Sequence, residues 1–354
     1  MMLRVRLRTR TSPASERVAH SAWIRDEDGP REWRVRSVPG EWRMKTFDGI
    51  EGVMRGQVLA CFHDEWEVVL DSGETVRASV RARHFADMPK EEKLLVAGDR
   101  VDVSESAGAH VIEERLPRET TLSRRLPGAR REKEQVIVAN ADTFVGVASL
   151  GAPPLNRRLL DRYLVIAEDA ELASTVVLNK TDLVEESEWA PVARAYRTAG
   201  YEVIPTSAVE LTGVEELSAA IRGRFAVLAG PSGAGKSSLL NAIEPGLGLK
   251  VREVNRKTGK GKHTTTNVTI FRLDDGTLVA DTPGFRELGL WRIRPEELDV
   301  LFPEFRELME GCRYRGCNHI PEPGCAVREA VERGELDQER YESYVRLFEQ
   351  LSAR

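Results

Sequence analysis

Gly230-Pro231-Ser232-Gly233-Ala234-Gly235-Lys236-Ser237-Ser238 decides the reading of this chain, together with Asn179-Lys180-Thr181-Asp182, which precedes it. The first stretch fits the G-x-x-x-x-G-K-[ST] pattern of a phosphate loop. An apolar run over 225–229 feeds it, and a helical pattern leaves it at Ser237. In that setting glycines let backbone N–H groups turn inward around phosphate oxygens at a helix N-terminus. Lys236 would then reach the β- and γ-phosphates of a nucleoside triphosphate, and Ser237 would ligate Mg2+. Gly230, Pro231, Ser232, Gly233, Ala234, Gly235 and Ser238 complete the expected cradle.

The tetrapeptide follows an apolar run over 174–178, the place where α/β proteins set ligand-contacting loops. The Asp182 carboxylate can accept from guanine N1–H and from the exocyclic amine, a pattern adenine does not offer. Lys180 packs across the base or stiffens the loop, and Asn179 and Thr181 belong to the same segment. A later run over 202–205 delivers Ser207-Ala208, whose backbone can donate to guanine O6. GTP is therefore expected, and an ATP-using kinase fails on Asn179 and Asp182. In ordinary small GTPases the phosphate loop comes before the base-reading segment. Here the order is inverted, so the domain reads as circularly permuted.

Two segments beyond the phosphate loop fit nucleotide switches. Lys262-His263-Thr264-Thr265-Thr266 offers a threonine hydroxyl to Mg2+ and the γ-phosphate, with Thr265 favoured over Thr266. Asp281-Thr282-Pro283-Gly284 sets Asp281 near the metal's water shell and the Gly284 N–H toward the γ-phosphate. Phe285 stands where many GTPases carry a water-orienting Gln, and a phenyl ring cannot orient water. His263 is the nearest candidate for that role; a structural or RNA-contacting histidine is the equal alternative. Slow intrinsic hydrolysis with strong stimulation by a partner is expected.

Cys312, Cys317, His319 and Cys325 form the last cluster. Three thiolates and an imidazole suit tetrahedral Zn2+, and four protein ligands make a structural ion with no open catalytic position. Cys61 sits in an apolar run and reads as core. A composition of 41% hydrophobic and 31% charged residues in 354 suits a globular chain of two or three domains. No apolar run is long enough to span a bilayer, so the cytoplasm and no membrane partner are expected. A net charge of -5 argues against a protein that coats nucleic acid uniformly. Basic stretches at 1–47, 115–133 and 250–262 could still meet phosphates, or could be solvated surface.

The fold expected is multidomain α/β. Residues 48–115 carry short strand-like runs (52–62, 66–71, 75–83, 100–103 and 110–115) that suggest an OB-type barrel. Residues 116–290 alternate strands (143–149, 174–178, 202–205, 225–229, 268–273 and 278–280) with helical patterns such as 159–168 and 189–199, which builds a largely parallel sheet. Residues 291–354 read as a helical zinc-binding domain, with helices at 295–309 and 338–351. Residues 1–47 are a basic leader without clear periodicity. Three readings of it stay open: a partly disordered segment, an RNA-contacting arm, or a stretch ahead of a start at Met44.

From residue 52 to 351 the chain resembles the ribosome small-subunit-dependent GTPases, the RsgA (YjeQ/YloQ) family. The matching segments are Val96-Ala-Gly-Asp-Arg-Val-Asp-Val103, Asn156-Arg-Arg-Leu-Leu-Asp-Arg-Tyr-Leu164, and residues 230–238, 263–266, 281–285 and 312–325. The resemblance implies an assembly factor acting late in small-subunit maturation, with the barrel and zinc domain contacting rRNA and the subunit stimulating GTP hydrolysis. The family's hydrophobic residue after the switch glycine matches Phe285. No role is carried onto the leader. A monomer is expected. The rival reading is a GTP-gated rRNA-binding scaffold whose hydrolysis is incidental. The permutation also brings the switch at Gly284 close in sequence to the zinc-bearing segment, so γ-phosphate occupancy could move that domain directly.

Overall fold

The computed structural model describes the backbone at 7–12, 15–26 and 29–37, and residues 53–62, 65–80, 95–106, 108–125, 134–248, 268–281 and 290–353. The chain divides into two compact units, Met1–Glu51 and Gly52–Arg354. In the first, β1 (Leu7–Ser12), β2 (Ser15–Asp26) and β3 (Gly29–Ser37) form an antiparallel meander. The leader, read as lacking periodicity, thus carries strands. The borders expected at 115/116 and 290/291 fall inside the second unit.

That second unit begins with β4 (Met54–Phe62), β5 (Glu65–Leu70), β6 (Thr75–Val80), β7 (Arg100–Ser106) and β8 (Ala109–Arg115). They close as β4-β5-β6-β8-β7, with β6 and β8 parallel and β7 returning to β4. This is the expected OB-type barrel. Alternation places Val58, Val68, Val76, Ala78, Val101, Val103 and Ile112 inside, all buried. Cys61, expected in the core, is only half-buried near the end of β4. A two-stranded antiparallel pair follows, β9 (Thr121–Arg125) with β10 (Glu134–Ala139). Sequence reading gave no strand here, because Thr-Leu-Ser-Arg-Arg lacks the apolar alternation of a half-buried strand.

The central sheet contains β11 (Thr143–Ser149), β12 (Ala173–Asn179), β13 (Glu202–Thr206), β14 (Phe225–Ala229), β15 (Thr269–Arg272) and β16 (Leu278–Asp281), ordered β13-β12-β11-β14-β16-β15. All pairs are parallel except β15 with β16. Both faces are covered, so strands such as Phe-Ala-Val-Leu-Ala are apolar throughout. Val147, Val177, Ala226 and Leu228 pack against α3 (Val214–Ile221) and α4 (Lys236–Ile243). Phe144, Val176, Leu178, Val227 and Ala229 face α1 (Arg157–Asp169) and α2 (Glu186–Thr198). The Asn156 carboxamide caps α1 by accepting the Leu159 N–H at 3.1 Å.

The helix expected over 295–309 is absent. In its place stand four 3-10 turns, Pro295–Glu297, Asp299–Leu301, Pro303–Phe305 and Leu308–Gly311. Pro303 has no N–H to donate back into a continuing α-helix, and the turns close through bonds such as Leu298 N to Pro295 O (3.2 Å) and Phe302 N to Asp299 O (3.1 Å). The short α5 (Ala326–Glu332), which sequence reading missed, and α6 (Gln338–Ser352) end the chain. Among the described residues no helix is long and apolar enough to cross a membrane.

Candidate functional site

The two motifs that sequence order separates meet at one end of the parallel sheet. β12 ends at Asn179 and β14 delivers the loop 230–235 into α4. Parallel strands all point their carboxyl ends the same way, so the loops after β12, β13 and β14 share one rim, where α/β folds bind ligands. Asn179 is 1% exposed and acts as a staple. Its Nδ2 donates to the Ala234 carbonyl at 2.8 Å, and its Oδ1 accepts from the Thr206 hydroxyl at 3.1 Å. One side chain thus ties the phosphate loop to the ends of β12 and β13. Gly235 makes the contact possible: its φ is +97°, and a Cβ there would lie 2.1 Å from Asn179 Nδ2.

Lys180 takes a left-handed conformation (φ 71°) and sends its ammonium back to the phosphate loop, donating to the Gly233 carbonyl at 2.7 Å and to the Ala152 carbonyl. Partial burial lowers its pKa from the ordinary lysine value, and the charge of Asp182 opposes that shift. Thr181 opens a 3-10 turn, Thr181–Leu183. Exposed Asp182 accepts from the Ser207 hydroxyl at 2.6 Å, and Ser207 Oγ accepts the Glu210 N–H at 3.1 Å. The Asp182 carboxylate is therefore aimed by the loop after β13. The Ser207 N–H is already given to Thr212 O at 2.9 Å.

Lys236 stands at the first turn of α4 with its ammonium on the carbonyls of Gly230 (2.9 Å) and Pro231 (3.4 Å), inside the curve of the loop. The N–H of Ala234 returns to Pro231 O at 3.1 Å. This concave backbone, a fixed ammonium and a helix N-terminus together suit a polyphosphate. Ser237 and Ser238 lie in the first turn of α4. Asp281 closes β16 beside β14, its backbone in register with Leu228. His263, Thr264, Thr265, Thr266, Gly284 and Phe285 lie outside the described residues.

The second centre gathers Cys312, Cys317, His319 and Cys325, whose donor atoms all lie within 4.8 Å of one another. Cys312 Sγ is 4.0 Å from Cys325 Sγ, and His319 Nδ1 is 3.6 and 3.4 Å from these two sulfurs. Bonds of about 2.3 Å to a tetrahedral ion place sulfurs roughly 3.8 Å apart, so the donors fit zinc with little movement. Burial pushes the Cys317 thiol up to about 12 and raises that of Cys325; a dication in the centre would reverse this by stabilising thiolates. His319 reaches the group through a left-handed backbone (φ 61°), and its Nε2 lies 3.6 Å from Asp299. That separation is longer than a hydrogen bond, so Asp299 faces the imidazole as a nearby charge rather than as an acceptor. The Tyr341 and Tyr344 hydroxyls donate to the carbonyls of His319 and Asn318, each at 2.8 Å, holding the loop on α6.

A buried ionic knot that sequence reading missed joins this region to the sheet's helices. Arg340 of α6 is 2% exposed and makes a two-bond fork with Glu304 (2.7 and 2.9 Å) while donating to Asp161 of α1 at 2.8 Å. The Tyr196 hydroxyl of α2 also donates to Asp161, at 2.8 Å. Burial would lower the Arg340 pKa, yet the charges of Glu304 and Asp161 hold it well above the usual arginine value. A signal existed: Arg340 falls on the same stripe as buried Tyr344, Leu347 and Leu351, and Asp161 sits between Leu160 and Leu164.

A family model described as RsgA GTPase matches residues 115–291. A protein of Gemmatimonas aurantiaca called small ribosomal subunit biogenesis GTPase RsgA is 43% identical over 292 residues, 82% of this chain and 94% of that one. A protein of the same name from Thermotoga neapolitana is 39% identical over 85% of this chain and 97% of its own length. Among solved structures, YjeQ from Thermotoga maritima superposes with a TM-score of 0.71 at 35% identity, covering 85% of this chain and 99% of that one. YloQ, a circularly permuted GTPase, superposes at 0.68 with 30% identity over 88% and 98%. With the Asn179–Asp182 loop after β12 ahead of the glycine-rich loop after β14, the chain belongs to the RsgA family of circularly permuted GTPases.

Proposed function

We propose that this GTPase acts late in maturation of the small ribosomal subunit, with the subunit and its rRNA as partners and stimulators of hydrolysis. The observation that carries the reading is the joint frame of Asn179, Lys180 and Gly235, which makes one site from a base-reading loop and a phosphate loop in permuted order. In it Asp182 takes the guanine N1–H and exocyclic amine. Because the Ser207 N–H is committed to Thr212, the donor to guanine O6 is Ala208. Loop 230–235 and Lys236 hold the phosphates; Ser237 and Thr265 ligate Mg2+, Asp281 orders its water shell and Gly284 meets the γ-phosphate. His263 orients the attacking water in place of the missing Gln. The Cys/His group holds one zinc ion as a structural staple. The ion supplies no reacting position, because the chain fills all four.

The test is GTP turnover by the purified protein titrated with purified small subunits. Stimulation of many-fold, lost in His263→Ala, supports the reading. Fast turnover without subunits refutes partner gating, and no stimulation at all favours the GTP-gated scaffold.

A further inference from the structure

Among the described residues, Phe62 and Tyr314 are the exposed aromatic rings, at 43% and 46%. Each has a guanidinium over it: Arg77 lies 5.6 Å from the Phe62 ring centroid and Arg313 lies 5.5 Å from that of Tyr314. The two differ in their surroundings. Arg77 also faces the Glu65 carboxylate at 3.9 Å, which offsets its charge. Arg313, Tyr314 and Arg315 stand together, all exposed, with no acidic residue between Cys312 and Cys317. The nearby Glu322 carboxylate is turned into its own loop, accepting the N–H groups of Asn318 and Ile320 at 3.2 and 3.1 Å.

The tip is also built to stay put. Cys312 and Cys317, which bracket it, both turn to the metal cluster. The Arg313 N–H donates to Gly324 O at 3.0 Å. Gly324 has φ +71°, and a Cβ there would meet the Arg313 stem at 3.1 Å, so glycine lets that stem lie flat on the opposing strand of the loop. An exposed ring normally costs solvation and gains nothing. This one, with the Arg313 guanidinium over it and exposed Arg315 next in the chain, presents a flat apolar face beside charges for phosphate.

From this the geometry points to Tyr314 as a stacking platform for one unpaired RNA base, with Arg313 and Arg315 taking the flanking phosphates. The inference rests on the ribosomal reading above and names the contact through which the metal-stapled loop acts. A duplex offers no free base face, so the platform selects single-stranded or bulged RNA.

The experiment uses the full chain with its zinc content measured. Binding is read with a fluorescent ten-nucleotide single-stranded oligoadenylate and, separately, with purified small subunits by co-sedimentation. Tyr314→Ala weakens both by roughly 30-fold, the middle of the range found for stacked bases. Tyr314→Trp restores both. Arg315→Ala lowers the slope of log affinity against log salt by about 0.7, the value for one single-strand phosphate contact. Unchanged binding by Tyr314→Ala at full zinc content overturns the inference, as does failure of Tyr314→Trp to rescue. Loss of subunit binding with oligoadenylate binding intact overturns it in favour of a ribosomal protein surface. Should Tyr314→Ala lose zinc, Tyr314→Trp and Arg315→Ala decide alone. Subunit-stimulated GTP turnover of the unaltered protein stands or falls separately, so failure of the platform is distinguishable from failure of the ribosomal role.

Discussion

Asn179→Ala removes the staple between the two halves of the nucleotide site. The asparagine makes two buried hydrogen bonds, to the Ala234 carbonyl and from the Thr206 hydroxyl. Truncation leaves both partners buried without it, at about 1–3 kcal/mol each. The sum, about 2–6 kcal/mol, divides between folding and nucleotide affinity. β12 stays held along its length by parallel pairing to β11 and β13, so the strand survives and the loss falls on the loop that must wrap phosphate. Assigning about 2 kcal/mol to that loop predicts GDP and GTP binding weaker by roughly 30-fold. The assay is equilibrium titration with fluorescent guanine nucleotides, with GDP, IDP and XDP as competitors. Because Asn179 acts by holding the loop, all three should weaken by the same factor. Selective loss of GDP, with IDP and XDP untouched, would show that Asn179 reads the base and would refute the staple argument.

Three further outcomes follow from the same geometry. Asp182→Asn exchanges an acceptor-only group for one that also donates, so GDP affinity should fall by 1.5–3 kcal/mol, roughly 10- to 150-fold, while XDP, whose C2 oxygen can accept, gains; competition binding reads both. Arg340→Ala strands Asp161 and Glu304 in the interior and should destabilise the chain by about 3–5 kcal/mol, seen as a lower urea midpoint, with less effect from joint replacement of all three by apolar residues. Cys317→Ser with Cys325→Ser should abolish bound zinc as measured by metal analysis and expose the 312–325 loop to protease; retention of the ion would overturn the ligand set.

The strands that carry the site were legible because each is buried on both faces, and a fully apolar run between turn residues is a local signal. The phosphate loop and the Asn179–Asp182 segment were legible for a different reason: their chemistry needs particular residue types at fixed short spacing, as does the Cys/His set. The helix expected over 295–309 failed because its apolar residues are spaced for a helix while Pro303 denies the backbone bond, and the chain settled into i→i+3 turns. β9 lay hidden in a basic stretch, because it follows its neighbour β10 more than any intrinsic pattern.

The sequence by itself therefore singled out the phosphate-loop and Asn179–Asp182 motifs, their permuted order and the four clustered Cys/His donors, since these depend on side-chain chemistry within a few residues. Only the tertiary structure decided what Asn179 and Lys180 do, that Ser207 aims Asp182, and that Arg340 locks α6 onto α1 through Asp161. Those contacts join residues between 25 and 179 positions apart. No local pattern records such a partner, because its choice is fixed by how parallel strands and packed helices bring distant chain ends together.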